Sequence, residues 1–355
     1  MRYHLAVLSI GNLSFNLPAV QAALSGYSDR AMRLVARRFG AELAMAEVVL
    51  DQLILLKGRL RQRLLTIGAD DHPIGGQLMG AEPAQFGRAA AELVEHGYDL
   101  VDINFGCPVK KVLGRCRGGY LLTTPATALD IVKSVLDHVG GRRPVTMKMR
   151  RGYDDSADSE RDFFTILDGA FELGVASVTV HGRTVKQRYV GPSNRDFIAR
   201  VKRRAGTRTI LGSGDVFSAH EVVDMMRETG VEGAWVARGA IGNPFVFREV
   251  RALLEGRDLP PPPALSEQRE ALDLHRRLAT EDYGPGRTGL IMRKIGIRYA
   301  GLHPCSGEVR RAFIAATTGD DVSRVIDSWY DPARDWPPVR RREKADLVAA
   351  GALAE

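Results

Sequence analysis

Apolar and polar positions alternate between two periods from Pro18 to Leu254. Short apolar or alternating runs, the period of strands, fall at 18–24, 43–49, 74–79, 99–105, 144–149, 178–181, 208–214 and 233–239. Between them lie longer segments with apolar residues at helical spacing. The first is capped by Asp29, runs through Met32, Leu34, Val35 and Phe39, and is stopped by Gly40. The others fall at 83–96, 125–139, 159–173, 194–204, 218–229 and 244–254, with an amphipathic stretch at 54–65. Ahead of all these, two apolar stretches meeting at Gly11-Asn12 predict a short hairpin. Eight strand-then-helix units predict a TIM (β/α)8 barrel. A doubly wound parallel sheet shares the alternation, and the count of eight favours the barrel over it.

Leu259-Pro-Pro-Pro-Pro263 breaks the pattern and predicts a rigid linker. Residues 1–258 are therefore read as the barrel domain, 259–265 as linker, 266–335 as a small helical bundle, and 336–355 as a charged tail. Bundle helices are expected at 266–282, 290–300, 306–317 and 322–329, the first capped by Ser266.

Bulk composition narrows the class without naming a function. With 45% hydrophobic and 26% charged residues, extensive disorder is excluded. The three cysteines, Cys107, Cys116 and Cys305, form no CxxC and no framework spacing, so a reducing cytoplasm is expected and no metal site is. No apolar run reaches membrane-spanning length, and the N-terminus lacks the apolar core of a signal peptide. The net charge of +7 arises from 50 Lys and Arg against 43 Asp and Glu, which is compatible with a polyanionic partner without requiring one. No strand leads into GxGxxG or GxxxxGK[ST], so neither a dinucleotide fold nor a P-loop is supported.

In a TIM barrel the reacting groups stand at the C-terminal ends of the strands. Those ends carry Gln77; Asn104 followed by Cys107; Lys148; His181 with Arg183; Ser213-Gly214-Asp215; and Ala237-Arg238-Gly239. Each polar residue alone reads as structural, but six convergent strand ends do not. The glycines of strands seven and eight let backbone N–H groups approach a phosphate, and Arg238 adds charge. Lys148 suits the negative charge that develops on a reduced isoalloxazine, and Gln77 suits the ring edge. These features describe a flavin mononucleotide site. A phosphosugar enzyme with Lys148 as Schiff-base nucleophile uses the same corner but leaves Cys107 without a role.

The segment Asp102-Ile-Asn-Phe-Gly-Cys107-Pro-Val-Lys-Lys-Val112 resembles the catalytic-cysteine loop of the dihydrouridine synthase family. Ser25–Asp29, Arg37–Gly40, Gln77–Gly80, Val145–Arg150, Val180–Thr184, Ser213–Asp215, Ala237–Pro244 and Met292-Arg-Lys294 extend the resemblance from about Ser9 to Trp329. The resemblance implies an FMN enzyme that reduces uracil in RNA to 5,6-dihydrouridine. Hydride passes from the reduced flavin to C6, Cys107 gives a proton to C5, and NADPH recharges the flavin by docking transiently over the ring. It implies that Ala23, Leu24, Ser25, Gln77, Lys148 and His181 contact the flavin, and that Ser213, Gly214, Asp215, Ala237 and Arg238 hold its phosphate. Asn104 and Arg183 would line the base pocket, while Lys110, Lys111, Arg293 and Lys294 grip structured RNA. Transfer RNA is the default, ribosomal RNA is open, and a cytoplasmic monomer is expected. A proton donor must hold its proton, so Lys110 and Lys111 are read as RNA clamps rather than thiolate activators.

Three positions depart from the family pattern and suggest a divergent member. Ala22-Ala23-Leu24 stands for Ala-Pro-Met, Ser213 replaces an asparagine, and Ala237 adds a methyl where the backbone should approach phosphate. Two other classes remain open on the residues: an RNA-binding paralogue without flavin, and a flavin reductase acting on a small molecule. Cys116 has no role in any of these readings.

Overall fold

The computed structural model describes residues 7–342, so most of the expected tail lies outside the described residues. The hairpin at Gly11-Asn12 is present: β1 (Leu8–Ile10) pairs antiparallel with β2 (Leu13–Phe15). Eight parallel strands then close into a barrel: β3 (Ala19–Gln21), β4 (Leu43–Met45), β6 (Ile74–Met79), β7 (Leu100–Phe105), β8 (Val145–Arg150), β9 (Ser177–His181), β10 (Thr209–Ser213) and β11 (Gly233–Val236). The β4–β6 pairing closes the ring, and β5 (Val49–Leu50) is a separate two-residue addition to the edge of β6. The run expected as one strand over 43–49 is therefore two short ones. The first and eighth strands stop at Gln21 and Val236, earlier than expected, because the following residues leave the ladder for turns.

Period two separates the barrel's faces. On β7, Val101, Ile103 and Phe105 face the helices within the large apolar cluster, and on β8 Val145, Met147 and Met149 do the same. The opposite face fills the barrel. Its lower part is apolar, with Val20, Leu43, Met45, Leu100, Leu211 and Trp235 packed on Leu8, Ile10 and Phe15 of the hairpin. Toward the strand ends that face carries Asp102, Asn104, Thr146 and Lys148 instead. An aliphatic exterior with a polar upper interior is what a site at the strand ends requires.

The helices follow the predicted order. Asp29 caps Arg30–Arg38 by accepting from the Met32 N–H at 3.0 Å. The stretch at 54–65 becomes two helices, Asp51–Ile54 and Arg59–Leu65. Bundle helices occupy Leu265–Tyr283, Pro285–Tyr299, Ser306–Ala315 and Gly319–Trp329. Ser266 is not the cap. The helix starts one turn-position earlier, and Glu267 accepts from the Ala264 N–H at 2.9 Å. The bundle's apolar core includes Ala31, Leu34, Val35 and Phe39 of the first barrel helix. Tyr283 to Asp29 (3.0 Å) and Arg30 to Asp282 (3.2 Å) tie the rim of that contact. No helix among the described residues is long and apolar enough to cross a membrane.

Candidate active site

Register brings the sequence-predicted residues together. Gln77 lies beside Asp102, Asn104 beside Lys148, and His181 beside both Arg150 and Ser213. A directed hydrogen-bond chain runs through the first group. Asp102, fully buried, accepts from the Thr146 hydroxyl (2.5 Å) and from Gln77 Nε2 (2.7 Å). Gln77 Oε1 accepts from Asn104 Nδ2 (2.7 Å), and Asn104 Oδ1 accepts the N–H groups of Gly106 and Cys107, each at 3.0 Å. Each step of this chain pairs one donor with one acceptor, so the side-chain amides have one orientation. Both polar atoms of Gln77 already have one protein partner, which leaves one N–H and one lone pair of Oε1 for a ring edge.

Cys107 is pinned on its other side by Gly119 N–H donating to its carbonyl oxygen at 3.1 Å. Burial raises the thiol above its ordinary pKa, outweighing a hydrogen bond from the Val109 amide and the nearby Arg150 charge. The thiol therefore holds its proton at neutral pH. Lys110 and Lys111 open the short helix Lys110–Leu113 with exposed side chains. Cys116 is exposed, with a left-handed φ of 54°.

The second group is cationic. Burial and the charge of Arg150 lower Lys148 to about 8. Its ammonium lies 5.7 Å from the Trp235 ring centroid and has no hydrogen-bond acceptor among the described residues. His181 is pushed well below its ordinary pKa by burial and by Arg150, Lys148, Arg183 and Arg238, so its imidazole is neutral. Arg183 Nη2 reaches both oxygens of Asp215 (2.8 and 2.7 Å), and the Asp215 carboxylate also accepts from the Ser193 N–H (2.8 Å). That carboxylate thus holds Arg183 rather than a phosphate, and the Asp215 backbone has a left-handed φ of 52°. Arg238 lies over the rings of Tyr189 (4.8 Å) and Phe217 (5.0 Å). At Gly214, with φ of 104°, a Cβ would fall 2.5 Å from Ser193 Oγ and 2.7 Å from the His181 ring, so only glycine fits. A half-buried ammonium without a hydrogen-bond acceptor and converging guanidinium groups fit an anionic, aromatic guest with a phosphate arm.

A family model for dihydrouridine synthases matches residues 20–328. The chain belongs to the dihydrouridine synthase family. It is 32% identical over 324 residues to tRNA-dihydrouridine synthase B of Xanthomonas axonopodis pv. citri, covering 91% of this chain and 96% of that protein. A probable tRNA-dihydrouridine synthase of Rickettsia typhi is 32% identical, with 93% and 99% covered. Among solved structures, morphinone reductase superposes with a TM-score of 0.53 at 13% identity, covering 73% of this chain and 92% of that one. Histamine dehydrogenase from Rhizobium sp. 4-9 gives 0.54 at 13%, covering 77% and 50%. At such identities these two report the barrel fold alone.

Within this dihydrouridine synthase family member, the remaining predicted residues divide. Ala23 and Ala237 pack against the barrel's interior apolar cluster, so both departures from the family pattern place a methyl there. Leu24 N–H and carbonyl both bond Ser28 Oγ (2.8 and 3.2 Å), and Ser25 is exposed at the mouth. Arg293 and Lys294 stand on the bundle helix Pro285–Tyr299. Lys294 is not presented outward: it donates to the Gly26 carbonyl and lies 3.7 Å from the Tyr27 centroid, joining bundle to barrel. Sequence reasoning assigned no role to Asp102 or Arg150. Arg150 is almost fully buried and donates to the Gly106 carbonyl (2.9 Å) beside Cys107. Both lie at i, i+2 from predicted residues on one strand face, and that spacing was the available signal. Ser193 and Tyr189 come from an irregular loop that offers none.

Proposed function

We propose that this chain reduces uridine in tRNA to 5,6-dihydrouridine, with FMN as its flavin and NADPH as the reductant. The observation that carries the reading is Cys107, its N–H fixed by Asn104 just past the end of β7, with Lys148 on the neighbouring strand and its ammonium without a hydrogen-bond acceptor among the described residues. Lys148 would hold the anionic side of the flavin ring, and Arg238 with the backbone at Gly214 and Asp215 its phosphate. When bound, the flavin supplies the hydride delivered to C6 of the uracil. Cys107 carries the proton for C5, and its raised pKa keeps that proton available. Arg183, held by Asp215, and Asn104 border the space a flipped uracil must enter, since the base has to leave its stack. The exposed Lys110 and Lys111 beside Cys107 suit RNA phosphates. The deciding assay is incubation of the yellow purified protein and NADPH with tRNA from a strain lacking the gene. Dihydrouridine should appear, whereas a colourless protein that takes up no FMN would sink the proposal. Product found only in ribosomal RNA would relocate the substrate.

Lys148 also predicts a pH dependence. Its ammonium loses its proton near pH 8 in the flavin-free protein, so the charge is complete below that pH and absent well above it. FMN affinity, followed by flavin fluorescence, should be flat below about pH 8 and fall by up to roughly tenfold per unit above it. Lys148→Met should bind weakly at every pH and lack the bend.

A further inference from the structure

Residues 336–342 follow the matched family segment, which ends at 328, and fold back onto the barrel. Trp336 anchors this arm by packing edge-on to His303 at 4.9 Å. Arg341 donates to Glu249 and to the Pro260 carbonyl. Arg342 donates from Nη1 to the Ile241 carbonyl (2.8 Å) and from Nη2 to the Gly239 carbonyl (2.6 Å). Its stem crosses Gly301, where a Cβ would lie 3.2 Å from Arg342 Cδ.

The two carbonyls belong to the turn that carries Arg238. In that turn Ala240 N–H donates to the Ala237 carbonyl (3.0 Å) and Ile241 N–H to the Arg238 carbonyl (3.3 Å). The Gly239–Ala240 peptide is therefore held at both ends, its oxygen by Arg342 and its N–H by Ala237. A peptide unit is planar, so fixing both ends fixes the step from Gly239 to Ala240, and the Ile241 N–H on the Arg238 carbonyl ties the residue before it to the same turn. Two other sides of the turn are rigid backbone. A Cβ on Gly239 would lie 2.6 Å from the Val216 carbonyl oxygen, and one on Gly242 would lie 2.5 Å from the Arg298 carbonyl carbon. The guanidinium fork of Arg342 holds two carbonyls of the same turn, and its rigid geometry suits two oxygens at once.

We infer that Arg342 is a positioning residue: it locks the 237–242 turn so that Arg238 and the turn's backbone are set for the phosphate of the flavin. This rests on the FMN reading above. The test compares FMN with riboflavin, which lacks the phosphate, by fluorescence titration of wild type, Arg342→Ala and Arg342→Lys, with melting of each flavin-free protein alongside. Arg342→Ala should weaken FMN about tenfold, the scale of a lost charge-assisted hydrogen bond, and leave riboflavin unchanged. Arg342→Lys, which keeps the charge without the fork, should fall between, and it serves as the variant if the alanine protein does not fold. Equal weakening of both ligands, or none, overturns the inference. A wild type that fails to distinguish FMN from riboflavin overturns the phosphate reading itself and the inference with it. A wild type that prefers FMN, beside an unaltered Arg342→Ala, overturns only the role of the arm.

Discussion

Cys107→Ala should lower uridine reduction by about 10²–10⁴-fold, the range for loss of a positioned general acid, while NADPH still reduces the bound flavin at the wild-type rate. The two half-reactions separate because the thiol serves only the uracil. Stopped-flow bleaching of the flavin measures the first, and dihydrouridine formed in tRNA the second. Slow bleaching in the variant would place Cys107 in flavin binding instead; full uridine reduction would remove it from the chemistry. The pH profile supplies an independent check. Burial raises the thiol's pKa, so the required acid form is complete at neutral pH and persists further into the alkaline range than an ordinary thiol's. The rate should therefore hold through neutrality and decline only as the raised pKa is crossed. A thiolate nucleophile would show the reverse, with activity growing as pH rises.

The barrel was legible because each strand's outer face is aliphatic at period two and each helix is punctuated by Gly, Pro or a capping side chain. The site was legible because polar residues at several strand ends have no reason to be buried together. Where reading failed, a contact made by another residue decided. Ser266 has a capping side chain, but Glu267 reaching back to Ala264 sets the helix start one position earlier. Lys294 lies in a basic cluster along the sequence, yet the helix face it occupies meets Gly26 and Tyr27. Charge runs do not reveal which member points inward. Arg341 and Arg342 lie in the stretch read as a charged tail, and their guanidinium groups cross about a hundred positions of sequence to reach the barrel. Gln77 was read without its anchor, since its orientation depends on Asp102 across the ladder.

That dependence leads to the second large effect. Asp102→Leu removes the acceptor for Gln77 Nε2 at similar side-chain size, leaving a buried donor without a partner and the Gln77–Asn104–Cys107 chain without its fixed end. Turnover should fall about 10–100-fold, the equivalent of one to two such hydrogen bonds, although Asp102 touches no reacting atom. Asp102→Asn is the control. Its carbonyl can still accept from Gln77 while its amide donates to Thr146, whose hydroxyl can turn, so activity should stay within a few-fold of wild type. Comparable losses in both variants would mean that the carboxylate's charge, not the direction of the chain, is what matters. Stability separates the two roles. Burial raises Asp102 to about 6 against the opposing hydrogen bonds of Thr146 and Gln77. The folded state thus keeps a proton that the unfolded chain releases from about pH 4 upward, and this group's contribution to stability falls as pH rises from 4 to 6. Asn carries no such proton. The melting temperature of Asp102→Asn relative to wild type should therefore shift in the variant's favour across that window and level off above it.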